Sequence, residues 1–438
     1  GQQFLLAKRP SDPRFTSMSF KYGTWLAMAT LGLLGNLGLG DEPTSWSRFR
    51  GPNGSGVDVT AMLPLELGHE SNLQWQHALP GKGASSPVNW NGQVFLTAST
   101  IEPNTSSPQE HHVICLDLEK GIEQWRYTSK ALLPEQEIIR EDHGYASQSP
   151  VVDETGAYAF FGKSGVIALD HEGKLRWQAS VGTQLHGWGS ATSPILYRDL
   201  VILNASVESE SVIALDKASG KERWRRPGIR ESWNTPIIAS LADGSVEIIL
   251  AMLRKVIALN PETGDILWEC DTQINWYMCP GMLFDEGVVF AIGGRSGGGL
   301  AIKAGGRGDV TQSHVLWRLD KGTNVPTPLF HQGYLYFVHE NLGIAYCVEG
   351  RSGQLVYEER IQPSPGQIYA SPVLANDRIY ILSRQGHCVV LAAQPSFEIL
   401  ARSAMPKDQG LFHASPAIVK NRILIRSDRM LYCIGSQP

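Results

Sequence analysis

Twelve residues suited to recognition gather just ahead of a recurring Ser/Thr/Cys-Pro dipeptide: His143, Tyr145, His186, Trp188, Arg230, Trp233, Asn234, Trp276, Tyr277, Asn324, Tyr369 and His413. Aromatic faces mixed with amide and hydroxyl groups suit flat or sugar-like ligands and peptides alike, and loops on a rigid frame are where such residues collect. The alternative is that the same aromatics only plug and stiffen a funnel. Acids are scarce in these segments, where only Glu141, Asp142 and Glu231 stand near. A hard divalent cation needs several oxygens, so no metal site is expected here.

Catalytic signatures are missing elsewhere too. No His-Glu-x-x-His occurs; the one Gly-x-Ser-x-Gly match, Gly294 to Gly298, falls inside a glycine-rich run, and no nucleophile with its base is identifiable from spacing. His111 and His112 are adjacent, so on a strand they face opposite ways and make a poor metal clamp. The glycine-rich stretch 293–308 lacks the Gly-Lys-Ser/Thr ending of a phosphate loop and reads as a long turn, with Arg307-Gly308-Asp309 a chance tripeptide inside it. No catalytic residue is expected.

The elements that hold these segments follow from the dipeptides. They are Ser86-Pro87, Ser149-Pro150, Ser193-Pro194, Thr235-Pro236, Cys279-Pro280, Thr327-Pro328, Ser371-Pro372 and Ser415-Pro416, with prolines spaced 63, 44, 42, 44, 48, 44 and 44 residues apart. Each opens a unit of four short apolar runs separated by Gly, Asp and Asn, which reads as four antiparallel strands. Asp216 to Lys221 and Asn260 to Asp265 form the stereotyped turn between the third and fourth strands, with an Asx side chain on the turn backbone and Gly at positive φ. Proline lacks an N–H and suits the first residue of an inner strand, where the preceding hydroxyl can satisfy a nearby backbone group.

The fourth strand carries Trp75, Trp125, Trp177, Trp224, Trp268 or Trp317, with Tyr357 once, as core between units. The last unit ends after three runs, and Leu73-Gln74-Trp75-Gln76 is a spare fourth strand ahead of the first dipeptide. The expected fold is therefore all-β: an eight-bladed β-propeller of four-stranded antiparallel blades over 73–438, closed by that N-terminal strand.

A net charge of −5 gives no basic excess for nucleic acid. Lys21, the apolar run Trp25 to Leu39 and Gly38-Leu39-Gly40 before Asp41 read as a cleavable export signal within 1–40, with Met18 as the start. An uncleaved anchor is the alternative, though the run is short for a membrane span. The mature chain, with 41–72 as an N-terminal segment, is expected as a monomer without a membrane span, in the periplasm or cell envelope. Cys115, Cys347 and Cys433 take a small third-strand slot that Ala168, Ala214 and Ala258 fill elsewhere, and Cys388 lies in the same strand of another blade. Such slots are too far apart to bridge, and a Cys270–Cys279 bridge is a minority alternative.

The units Val212 to Trp224 and Val256 to Trp268, with Trp46 to Gly56 and the segment from Gly297 to Asp309, resemble the PQQ-like, quinoprotein-type propeller repeat of exported planctomycete-type proteins. The resemblance covers about residues 45–435. It implies either a scaffold like the assembly lipoprotein BamB or a quinone-dependent dehydrogenase. BamB needs a lipid-modified cysteine after its signal, whereas the first cysteine here is Cys115. Dehydrogenases of this type use a Ca2+ held by carboxylate and amide oxygens, a carboxylate base and commonly a vicinal cysteine pair, and no adjacent cysteines occur here. The expected role is an exported non-catalytic propeller that binds an envelope protein, peptide or glycan, with no cofactor. The alternative is a PQQ-dependent oxidoreductase with Ca2+ and an atypical site.

Overall fold

The computed structural model describes residues 46–102, 108–135, 145–295 and 297–436. The export-signal features and His143 lie outside the described residues. Eight sheets form a propeller ring, each built on a four-stranded antiparallel meander, with a short parallel strand added to two of them. In blade three the strands are Ile195–Tyr197, Leu200–Ala205, Ser211–Asp216 and Glu222–Pro227. The inner strand follows the dipeptide immediately in seven blades. In blade five, Gly281 and Met282 intervene between Cys279-Pro280 and Leu283–Asp285. Blade eight combines Ala417–Val419, Arg422–Arg426 and Met430–Gly435 with Leu73–Ala78, where Trp75 stands opposite Cys433.

The middle strands read as unbroken apolar runs because both faces of each sheet are covered. Ile213 and Leu215 pack on Tyr158 and Phe160 of blade two. From the other face, Val212 and Ala214 join Ile248 and Leu250 of blade four. Five of the fourth-strand tryptophans bind their blade to the next through one repeated joint. The indoles of Trp75, Trp125, Trp177, Trp224 and Trp317 lie over Gly121, Gly173, Gly220, Gly264 and Gly353 of the following blade, where a Cβ would drive into the ring. These glycines also hold φ between 65° and 81°, so the position excludes a side chain twice over. Each indole N–H donates to the carbonyl that opens the same turn, as from Trp177 to Lys217 at 3.0 Å. Opposite each aromatic stands Cys or Ala, for example Cys115 against Trp125 and Ala214 against Trp224. All six cysteines are free.

The dipeptide hydroxyls link blades around the axis. The amide N–H of Ser86 donates to Ser149 Oγ at 2.8 Å, that of Ser149 to Ser193 Oγ at 2.9 Å, and that of Ser193 to Thr235 Oγ1 at 3.0 Å. Blade six links to seven and seven to eight in the same way. Blade five, which offers a thiol, departs from the pattern: Gly281 rather than Cys279 donates to Thr327 Oγ1.

That blade also corrects the reading of 293–308 as a turn. Gly299–Lys303 is its third strand, and Gly308–Asp309 pairs in parallel with the fourth strand of blade four. The wide connection leaves no turn carbonyl for Trp268, which donates instead to the buried carboxylate of Glu247 at 2.8 Å. Arg307 reaches the same carboxylate at 3.4 Å.

Candidate functional site

One end of the central channel is closed by the segment from Trp46 to Asp58. The carbonyls of Trp46 and Ser47 accept the N–H groups of Asn89 and Val152. The Arg48 guanidinium donates to the carbonyl of Pro236 at 2.9 Å, and Arg50 donates to those of Pro372 at 2.8 Å and Pro328 at 2.9 Å. Asn53 exchanges two hydrogen bonds with Ile238, and Val57–Asp58 adds a parallel strand to blade seven. A single stretch thus ties blades one, two, four, six and seven. Arg50 is 1% exposed. Burial pushes its guanidinium down to about 9 and that of Arg48 to about 10, so both stay charged at neutral pH. Arg50 spends its donors on carbonyls, while Arg48 Nε has no partner among the described residues. Gly51, Gly54 and Gly56, all at positive φ, allow the tight path. Sequence reasoning used this segment only as a family signature and missed its place in the channel; the paired arginines among three glycines were the available signal.

The other end opens into a cavity of about 610 Å3 with Phe49 in its lining. All eight positions three residues before the dipeptide prolines line it, from Ala84 round to His413. Of the twelve candidate residues, Trp188, Trp233, Trp276, Tyr277, Asn324, Tyr369 and His413 are brought together here. Trp233 packs between His186 at 5.0 Å and Tyr277 at 4.8 Å, and its N–H donates to the Gly189 carbonyl at 3.0 Å. Trp276 lies against Tyr277 with the Arg295 guanidinium over its ring at 5.3 Å. Burial is the main cause raising the Tyr277 phenol above its usual range. Farther round the ring, Tyr369 packs on His413 at 5.9 Å beneath Arg384 at 4.7 Å. Trp276 Nε1, which the nearby Tyr277 hydroxyl does not satisfy in good geometry, and Asn324 Oδ1 are buried in this wall without a hydrogen-bond partner among the described residues.

The remaining candidates sit elsewhere. Arg230 is exposed and pairs with Glu210 at 2.9 Å. Asn234 is a buried strut: its amide donates to the carbonyls of Ala251 and Met278 and accepts the Ala251 N–H. Tyr145 and His186 line a smaller neighbouring cavity with Glu208. Burial pushes the Glu208 carboxyl up to about 7.

Sequence reasoning missed His339, Glu340 and Asn341, which enter the funnel lining from the loop between the second and third strands of blade six. Their distance from any dipeptide hid them. Glu340 is 5% exposed, and its carboxylate accepts Thr323 Oγ1–H at 3.0 Å, the Asn324 N–H at 2.9 Å and the Asn341 amide at 3.3 Å. Among the described residues no group of three or more His, Cys, Asp and Glu side chains is placed to hold a metal.

The family model described as outer membrane protein assembly factor BamB matches residues 69–206 and 208–402. No curated protein matches the chain significantly. Among solved structures, BamB from Moraxella catarrhalis superposes with a TM-score of 0.60 at 15% identity, covering 82% of this chain and 96% of that one. Quinohemoprotein alcohol dehydrogenase from Comamonas testosteroni superposes with a TM-score of 0.66 at 11% identity, covering 90% and 80%. A europium-containing methanol dehydrogenase gives 0.66 at 11% identity, covering 90% and 98%. At these identities the likeness to the solved structures is one of fold.

Proposed function

The chain belongs to the family of PQQ-type propellers described as outer membrane protein assembly factor BamB, and we propose that it is an exported, non-catalytic scaffold holding an envelope protein, peptide or glycan in its funnel. The observation that carries this reading is the aromatic and amide wall of the funnel, where Trp276 Nε1 and Asn324 Oδ1 are buried without partners among the described residues. Buried polar groups are nearly always paired, so such atoms on a rigid wall favour a ligand that completes them. It acts in the periplasm or cell envelope as a monomer; among the described residues no helix is long and apolar enough to cross a membrane.

The funnel suits a quinone with Ca2+ poorly. That chemistry calls for one carboxylate on the metal and a second as base. Among the described residues the funnel lining offers Glu340 alone, and its oxygens already take three donors. The aromatic wall would accept a flat ring, but without a second carboxylate the metal and the base would have to share Glu340, with His339 and His413 the remaining proton acceptors in the lining.

Two measurements test the proposal. Purified protein with pyrroloquinoline quinone and Ca2+ is expected to show no dye-linked oxidation of alcohols or sugars, and clear turnover would overturn the non-catalytic reading. Cross-linking in an envelope fraction is expected to capture a component that the combined Trp188→Ala, Trp233→Ala and Trp276→Ala variant loses. Equal capture by the variant would refute the funnel as the binding surface.

A further inference from the structure

The small cavity beside the funnel, about 40 Å3 in volume, holds the least satisfied acidic group among the described residues. We propose that it is a binding site for a hard divalent cation of the Ca2+ class, with Glu208 as its main ligand and Glu135 as the second carboxylate. This site lies outside the funnel and goes beyond the scaffold reading.

Glu208 sits on a single helical turn, Ser206–Ser209, which joins the second and third strands of blade three. It is 2% exposed, and neither carboxylate oxygen has a hydrogen-bond partner among the described residues. Ser190 is near, but its hydroxyl receives the Gln148 amide at 3.0 Å and closes no bond of good geometry with the carboxylate. Burying a carboxyl without a well-formed partner is costly, and among the described residues only Ser190 and the backbone of Glu208 itself offset that cost, in part. Space beside it is kept open by Gly162 of blade two, at φ 54°: a Cβ there would stand 3.1 Å from Glu208 Oε1 and 3.2 Å from Ser190 Cβ.

The rest of the lining is rich in oxygen. Glu135, 8% exposed, lines the same cavity and receives Ser164 Oγ–H at 3.4 Å. Gln148, also in the lining, donates its amide nitrogen to Ser190 Oγ at 3.0 Å and carries a side-chain oxygen besides. Lys163, the one Lys or Arg among the described lining residues, is tied to the Pro134 carbonyl at 2.6 Å. His111 is held between the hydroxyls of Ser99 and Ser164. Two carboxyl groups among oxygen donors suit a hard cation, and the volume admits an ion with a water but no organic ligand. Ca2+ fits better than Mg2+, because flexible coordination by side chains from several loops meets its looser geometry.

The test is calorimetric titration of the EDTA-treated full chain with CaCl2, paired with thermal melting. Saturable binding at one site is expected, with a Ca2+-dependent rise in melting temperature. Glu208→Gln should weaken binding at least about tenfold and abolish the melting shift while the near-UV circular dichroism stays native. Gly162→Ala should weaken it too. Absent or non-saturating heat from the wild type overturns the proposal and assigns the cavity to water. Undiminished binding by Glu208→Gln, or loss in Glu340→Gln instead, also overturns it by moving the ion elsewhere. None of these outcomes bears on capture of a partner by the funnel tryptophans.

Discussion

The two ends of the central channel are built by opposite means. At the closed end, Arg48 and Arg50 are buried charges that donate to the carbonyls of three dipeptide prolines. At the open end, aromatic rings and amides face a cavity, and Trp276 Nε1 and Asn324 Oδ1 are left without partners. Trp46 Nε1 and Arg48 Nε at the closed end also lack partners among the described residues. What separates the ends is that the arginines there close on backbone carbonyls of the frame, whereas the unpaired funnel residues line a cavity that a ligand could enter. The same residue types therefore carry different meanings at the two ends, and substitutions should separate them.

The largest effect is expected at the closed end. Arg50→Ala strips donors from the carbonyls of Pro328 and Pro372 together and should lower stability by about 3–5 kcal/mol in urea unfolding. A loss below about 1 kcal/mol would break the contrast. In the small cavity beside the funnel, His111 is polar and both ring nitrogens have hydroxyl partners. Burial first, and then its neighbour His112, push the imidazole down to about 4. Because the unfolded histidine titrates near 6.5, the native state binds fewer protons between these values. Stability is thus full above pH 6.5 and falls as pH drops toward 4, by about 3 kcal/mol in all. His111→Gln should flatten that acid limb, measured as unfolding free energy against pH.

Asn234 sharpens the comparison from within the rim, since it has the look of a binding residue and the bonds of a strut. Asn234→Ala should cost about 2–3 kcal/mol while leaving partner capture intact. Trp276→Phe should do the reverse. Removing an indole N–H that has no partner should change stability by no more than about 0.5 kcal/mol, yet weaken capture. A stability loss like that of Asn234→Ala would show the Trp276 indole to be structural.

Much of this frame was legible in the sequence because it repeats. The dipeptides, the Asx-to-Gly turns and the tryptophans recur at near-constant spacing, and each repeat poses the same packing problem to its neighbour. Blade five shows where the rule stops. A glycine-rich stretch has no apolar alternation to announce a strand, so Gly299–Lys303 was hidden inside what read as a turn. Its strand status comes from pairing with Val288–Ile292 on one side and Val315–Leu319 on the other. The site was legible in the same measure. The eight positions before the prolines were identified by counting, while Arg230 and Asn234, close to them in sequence, turned out to face other partners.

By itself the sequence determined eight units, their four strands, the spare strand at Trp75 and the ring of residues at the channel mouth. All of these rest on local periodicity and on turn chemistry that a few consecutive residues specify. Only the tertiary structure decided which end of the channel is closed, that Arg50 meets Pro372 across 322 residues of chain, and that Glu340 and Glu208 enter cavities from loops of different blades. Contacts of that kind join segments with no shared period, so no spacing announces them. They exist because closing the ring brings distant loops to one axis, where burial then sets what each polar group must bind.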